Sequence, residues 1–85
     1  MKVVLKLFAS LTDYLPNKGL DQRHEIELDL PPETTVADVI ARFNLPKALV
    51  HLVLVNGVYV EPQNRFTRRL DVGDHLAIWP PIAGG

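Results

Sequence analysis

The last six residues, Pro80-Pro81-Ile82-Ala83-Gly84-Gly85, join a stiff pair to a tip almost free of side chains. Proline fixes φ in the extended range and donates no ladder hydrogen bond, so Pro80-Pro81 predicts a semi-rigid arm leaving the last strand. Ala83, Gly84 and Gly85 offer little beyond backbone, which lets such a tip thread a narrow channel and approach a nucleotide closely. The group it presents is the Gly85 carboxyl. At a terminal-carboxyl pKa of about 3.5 this is an anion at neutral pH and a poor electrophile. Its oxygen leaves only after activation. Many chains end in a few small residues without consequence, yet a fraying tail seldom begins with a rigid arm on a core strand.

The other chemistry-bearing residues form no constellation. Ser10 is the only serine, and His24, His51 and His75 are scattered without triad or metal spacing. Each histidine reads as a surface residue on or beside a strand, and no metal site is expected. There is no cysteine, hence no disulfide, thiolate nucleophile or zinc–thiolate site. Asp71 and Asp74 flank Gly73 in a pattern that turn chemistry explains. No glycine-rich phosphate loop is present. Arg68-Arg69 is the only adjacent basic pair and the net charge is −1, so a nucleic-acid partner is not expected. The opening run Val3-Val4-Leu5 is broken by Lys6. It is no signal-peptide core, and nothing nears the roughly 18 to 20 apolar residues of a membrane span. The expectation is a soluble, cytoplasmic protein with no membrane partner.

The elements that must position the tail follow from periodicity. Lys2 to Phe8 is a strand with Val3, Leu5 and Leu7 on one face and Lys2, Val4, Lys6 and Phe8 on the other. Leu11, Tyr14 and Leu15 suggest a short helix or turn that Pro16 stops, with Asn17-Lys18-Gly19 as its loop. His24 to Leu30 alternates Ile26, Leu28 and Leu30 against Glu25, Glu27 and Asp29, a half-buried partner for the first strand. Thr35 and Asp38 mark a helix start, and Val36, Val39, Ile40 and Phe43 form its apolar stripe before Asn44 and Pro46 end it.

Asn56-Gly57 between Leu52–Val55 and Val58–Val60 is a strong hairpin signal. Glu61 to Arg69 reads as a polar loop and Asp71 to Asp74 as a turn. His75 to Trp79 is the last strand, with Leu76 and Ile78 inward and His75, Ala77 and Trp79 outward. A chain of 85 residues, 47% hydrophobic and 22% charged, favours one domain. The predicted fold class is α+β: a β-grasp, or ubiquitin-like, roll with a mixed sheet of about five strands and one main helix on one face. Residues 1–79 form the domain and residues 80–85 an extended tail. A ferredoxin-like fold asks for two long helices, and this chain offers one.

With these pieces named, the sequence resembles the ThiS/MoaD family of sulfur carriers, nearest to the small subunit of molybdopterin synthase. The resemblance rests on Lys6-Leu7-Phe8-Ala9-Ser10-Leu11, Thr35-Val36-Ala37-Asp38, Leu54-Val55-Asn56-Gly57, Val72-Gly73-Asp74 and above all the closing Pro80-Pro81-Ile82-Ala83-Gly84-Gly85. It implies that a ubiquitin-activating-type enzyme uses ATP to adenylate Gly85. A persulfide donor then converts it to a thiocarboxylate. Pro80, Pro81, Ile82, Ala83 and Gly84 would thread the partner's active site, and no cofactor would be bound by the chain. The molybdopterin synthase large subunit would hold the catalytic side chains, so the chain would not be an enzyme by itself.

Phe8 and Trp79, with Val4 and Ala77 beside them, fall on the sheet face away from the helix and are the expected partner-binding residues. Other destinations stay open: thiazole synthesis for thiamine, tRNA thiolation or a tungsten-type cofactor. A ubiquitin-like modifier joined to target lysines through Gly85 is a further alternative, as is a plain binding module.

Overall fold

Alternation in the opening residues decides the layout. The computed structural model describes residues 1–16 and 24–81. Its strands are β1 (Lys2–Leu7), β2 (Glu25–Asp29), β3 (Leu52–Val55), β4 (Val58–Tyr59) and β5 (His75–Trp79), with one α-helix, α1 (Val36–Arg42). Val3, Leu5 and Leu7 of β1 are all buried, as are Leu76 and Ile78 of β5 and Val53 and Val55 of β3. Those residues line one face of a single sheet ordered β2-β1-β5-β3-β4. β1 and β5 run parallel and the other pairs antiparallel. This mixed sheet with one main helix is the expected β-grasp arrangement. The tail-bearing strand β5 lies at its centre, held on both edges.

The helix starts where the capping residues predict. Thr35 Oγ1 accepts from the Asp38 amide at 3.1 Å and Asp38 Oδ2 accepts from the Thr35 amide at 2.9 Å. This closed capping box satisfies two backbone donors. Val36 and Val39 are buried, and Ile40 and Phe43 pack against the same core. The helix stops at the positive φ of Asn44, 53°, after seven residues. Ala9–Tyr14 is a 3₁₀ helix that buries Leu11, in keeping with the short turn expected before Pro16. The loop assigned to Asn17-Lys18-Gly19 lies outside the described residues.

Two turns lock together at the start of β5. Asn56 and Gly57 have φ of 52° and 81°, the left-handed pair that a tight hairpin requires. Asn56 Nδ2 donates to Asp74 Oδ1 at 2.9 Å, and the His75 amide donates to Asn56 Oδ1 at 2.9 Å. Asp74 Oδ2 accepts from the Asp71 amide at 2.8 Å. Asp74 is buried, so these bonds replace its water.

The stretch Glu61 to Arg69 is more than a polar loop. It contains a 3₁₀ turn, Pro62–Asn64, and its carbonyls serve the helix. The Val36 amide donates to Arg68 O at 3.0 Å and the Ala37 amide to Arg65 O at 2.9 Å, satisfying first-turn donors that no helix can satisfy internally. Arg65 itself is only 8% exposed. Arg69 pairs with Glu33 at 3.7 Å across the exposed surface, and the Arg68 guanidinium donates to the Arg69 carbonyl. No described helix is long and apolar enough to cross a membrane.

Candidate functional site

The tail is rooted before it leaves the sheet. Leu7 of β1 pairs with Ile78, and the Phe8 amide donates to Ile78 O at 3.2 Å. On the other edge Leu52 of β3 pairs with Trp79, and the His51 amide donates to Trp79 O at 3.0 Å. Pro80 is buried and Pro81 exposed, so the arm's first residue belongs to the fold and its second faces solvent. Both have φ fixed by their rings. The remaining tail residues assigned a role, Ile82, Ala83, Gly84 and Gly85, lie outside the described residues.

Around that root the sheet's outer face carries the expected aromatics. The Phe8 and Trp79 rings stack with centroids 4.2 Å apart and an interplanar angle of 1°. His24 lies 6.0 Å from Phe8, tilted by 34°. Stacking holds each ring in one orientation, so the pair presents a rigid apolar plate beside the tail exit. Val4 is half-buried on the same face. Ala77 is there too but only 9% exposed. Its register partners Lys6 and Leu54 stand on either side of its small methyl. Ala77 therefore forms the floor of the face and offers little surface for contact.

Three residues enlarge this face beyond the sequence expectation. Leu52 lies opposite Trp79, Leu54 opposite Ala77, and Tyr59 opposite Leu54. Directly opposed residues share a face. Leu52 is 36% and Tyr59 50% exposed. The signal was the unbroken apolar run of β3, since a strand apolar on both sides has its outer side covered or available to a partner. Lys2 with Glu27, 3.6 Å apart, marks a charged edge of the same face.

Among the described residues, no group of three or more His, Asp or Glu side chains is placed to hold a metal. His24, His51 and His75 are all exposed. What the described residues assemble is a stacked aromatic pair on the sheet's outer face, beside the strand end that carries the C-terminal arm.

Comparison with known proteins agrees with this geometry. The ThiS family profile matches residues 5–85. No curated protein sequence matches the chain. Among solved structures, the HVO 2177 protein of Haloferax volcanii is 26% identical, with a TM-score of 0.76 over 100% of this chain and 87% of its own. SAMP1 from Haloferax volcanii is 22% identical, with a TM-score of 0.68 over 100% of both chains. A chain from the complex of subunits 1 and 2 of the molybdopterin-converting factor of Helicobacter pylori is 16% identical, with a TM-score of 0.60 over 100% of both chains. The last two likenesses speak to the fold.

Proposed function

Because the chain belongs to the ThiS family, we propose that it is a sulfur carrier whose chemistry takes place on the Gly85 carboxyl. The observation that carries this reading is that the family match runs through the tail to Gly85, on an arm whose root is clamped between β1 and β3. The fixed root sets where the tip can go, and the tip supplies a reactive group without a side chain.

Gly85 first needs a leaving group. An adenylating enzyme of the ubiquitin-activating type joins the carboxylate oxygen to the α-phosphorus of ATP and releases pyrophosphate. A persulfide sulfur from a donor protein then attacks the acyl carbon and AMP departs. Reductive cleavage of the acyl disulfide by a thiol leaves the thiocarboxylate. Its anionic sulfur is a good nucleophile, as thiolates are. The chain contributes no side chain to these steps. It supplies the terminus, the stiff Pro80-Pro81 reach and the Phe8–Trp79 plate on which a partner aligns. ATP is consumed by the activating enzyme, and the chain holds no cofactor of its own.

The destination we favour is molybdopterin synthesis, with the chain as the small, sulfur-donating subunit beside a larger catalytic subunit in the cytoplasm. Support comes from the Pro80-Pro81-Ile82-Ala83-Gly84-Gly85 wording and from the fold shared with the Helicobacter pylori factor, which was solved as a complex of its subunits 1 and 2. Mixing the thiocarboxylated chain with a molybdopterin synthase large subunit and its pterin precursor tests this. The expected outcome is loss of sulfur from the chain with formation of the dithiolene product. Sulfur retained there but transferred to a thiazole synthase would contradict the destination and keep the carrier role.

A further inference from the structure

On the helix side of the sheet, away from the aromatic plate, lies an apolar groove of about 870 Å³. Ala37, Ile40, Leu45, Val50, Pro62 and Phe66 supply its apolar walls. Phe66 is 73% exposed, a large apolar ring left in solvent at the rim. The only charged residues lining the groove are Lys47 and Arg65. Both are cations.

Arg65 is the unusual one. It is more than nine-tenths buried, and two of its donors are used: Nε donates to Val60 O at 3.4 Å and Nη2 to His51 O at 3.2 Å. Carbonyls satisfy hydrogen bonds but do not balance charge. Among the described residues no carboxylate pairs with it. A buried guanidinium with no carboxylate partner among the described residues, and with Nη1 free of described partners, favours an anion in the groove.

The same contacts place this cation beside the tail root. His51 bonds Arg65 through its carbonyl and Trp79 through its amide, so one residue separates the two. Val50, which lines the groove, is the next residue along. Four residues follow Pro81, a reach of up to about 14 Å when extended. They are Ile82, an apolar side chain, then Ala83, Gly84 and Gly85, the last bearing a carboxylate. The groove asks for an apolar anchor followed within a few residues by an anion.

We infer that the groove is a docking site for the chain's own C-terminal segment, Ile82–Gly85, with Ile82 against the apolar walls and the Gly85 carboxylate against Arg65 and Lys47. Docking is intramolecular and reversible, and it holds the reactive terminus on the helix side until a partner on the opposite face draws it out. The docking stands apart from the carrier chemistry; only its consequence, a shielded terminus, rests on the proposed function.

Amide and side-chain NMR of the full-length protein tests it without any enzyme. Arg65→Ala removes two structural hydrogen bonds, so the informative variants are Lys47→Glu, at an exposed position, and a semisynthetic chain ending in Gly85 carboxamide. Relative to the free acid, the carboxamide is expected to shift the Arg65 Nε–H signal and the amides of Ala41 and Phe66. Lys47→Glu is expected to move the Gly84 and Gly85 signals toward those of a free peptide. Both effects should persist on dilution. Changes in the carboxamide confined to Gly84 and Gly85 would overturn the proposal, as would tail signals indifferent to Lys47→Glu. Effects that vanish on dilution would overturn it in favour of a second copy's tail. Failure here would leave sulfur loading at Gly85 as a separate question.

Discussion

Trp79 does two things at one position: its backbone closes β5 against His51, and its ring stacks on Phe8 at 4.2 Å. The backbone role survives any non-proline substitution, while the ring role does not. Trp79→Ala should therefore weaken partner binding by about tenfold or more, as loss of an aromatic anchor at an interface does, while lowering Tm only modestly because the ring lies on the sheet's outer face, outside the hydrophobic core cluster. Calorimetric titration against the activating enzyme or the large subunit checks this. Unchanged affinity beside a large fall in Tm would make the stack structural. Alternation placed Phe8 and Trp79 on one face correctly. It could not show that Ala77 sits low between Lys6 and Leu54, because that depends on the neighbouring strands' register. Arg65 was hidden for a related reason: within the polar stretch Glu61–Arg69 nothing local distinguishes a buried arginine from a solvated one. Its burial comes with a bond to His51, fourteen residues away, beside a nearer one to Val60.

At the scale of elements, local signals worked wherever the chemistry was local. The Thr35–Asp38 capping box, the Asn56-Gly57 turn and the inward alternation of β1 and β5 each involve residues within four positions of one another. The structure adds how distant turns join. Asn56 and Asp74, eighteen residues apart, lock the hairpin to the turn before β5, at the end opposite the tail. Asp74→Ala should leave the Asn56 Nδ2 and Asp71 amide donors without their acceptor. The expected cost is about 1–3 kcal/mol, or a Tm fall of about 5 °C or more for a domain of this size. Thermal unfolding followed by circular dichroism measures it. A change within error of zero would mean that water replaces the carboxylate and the lock contributes nothing. The same variant should still accept sulfur at low temperature, since the lock lies away from the tail.

For the whole molecule, one sheet divides the labour. Its inner face and α1 make the core; its outer face carries Phe8, Trp79, Leu52 and Tyr59, the surface proposed for a partner; its central strand holds the root of the tail between two neighbours. Membership in the ThiS family and the β-grasp topology were both legible from the sequence, because the tail wording and the order of strands and helix survive without side-chain detail. The destination of the sulfur was less legible. It depends on which larger protein fits the outer face, and complementarity belongs to two surfaces at once. The central claim, that Gly85 carries the chemistry, is met most directly by intact-mass spectrometry of the full chain after incubation with ATP, its activating enzyme and a persulfide donor. The account predicts a mass gain equal to exchange of one oxygen for sulfur, localised to Gly85 by fragmentation and lost when Gly85 is deleted. Unmodified protein in the presence of a competent cognate enzyme, or a modification elsewhere on the chain, would contradict it.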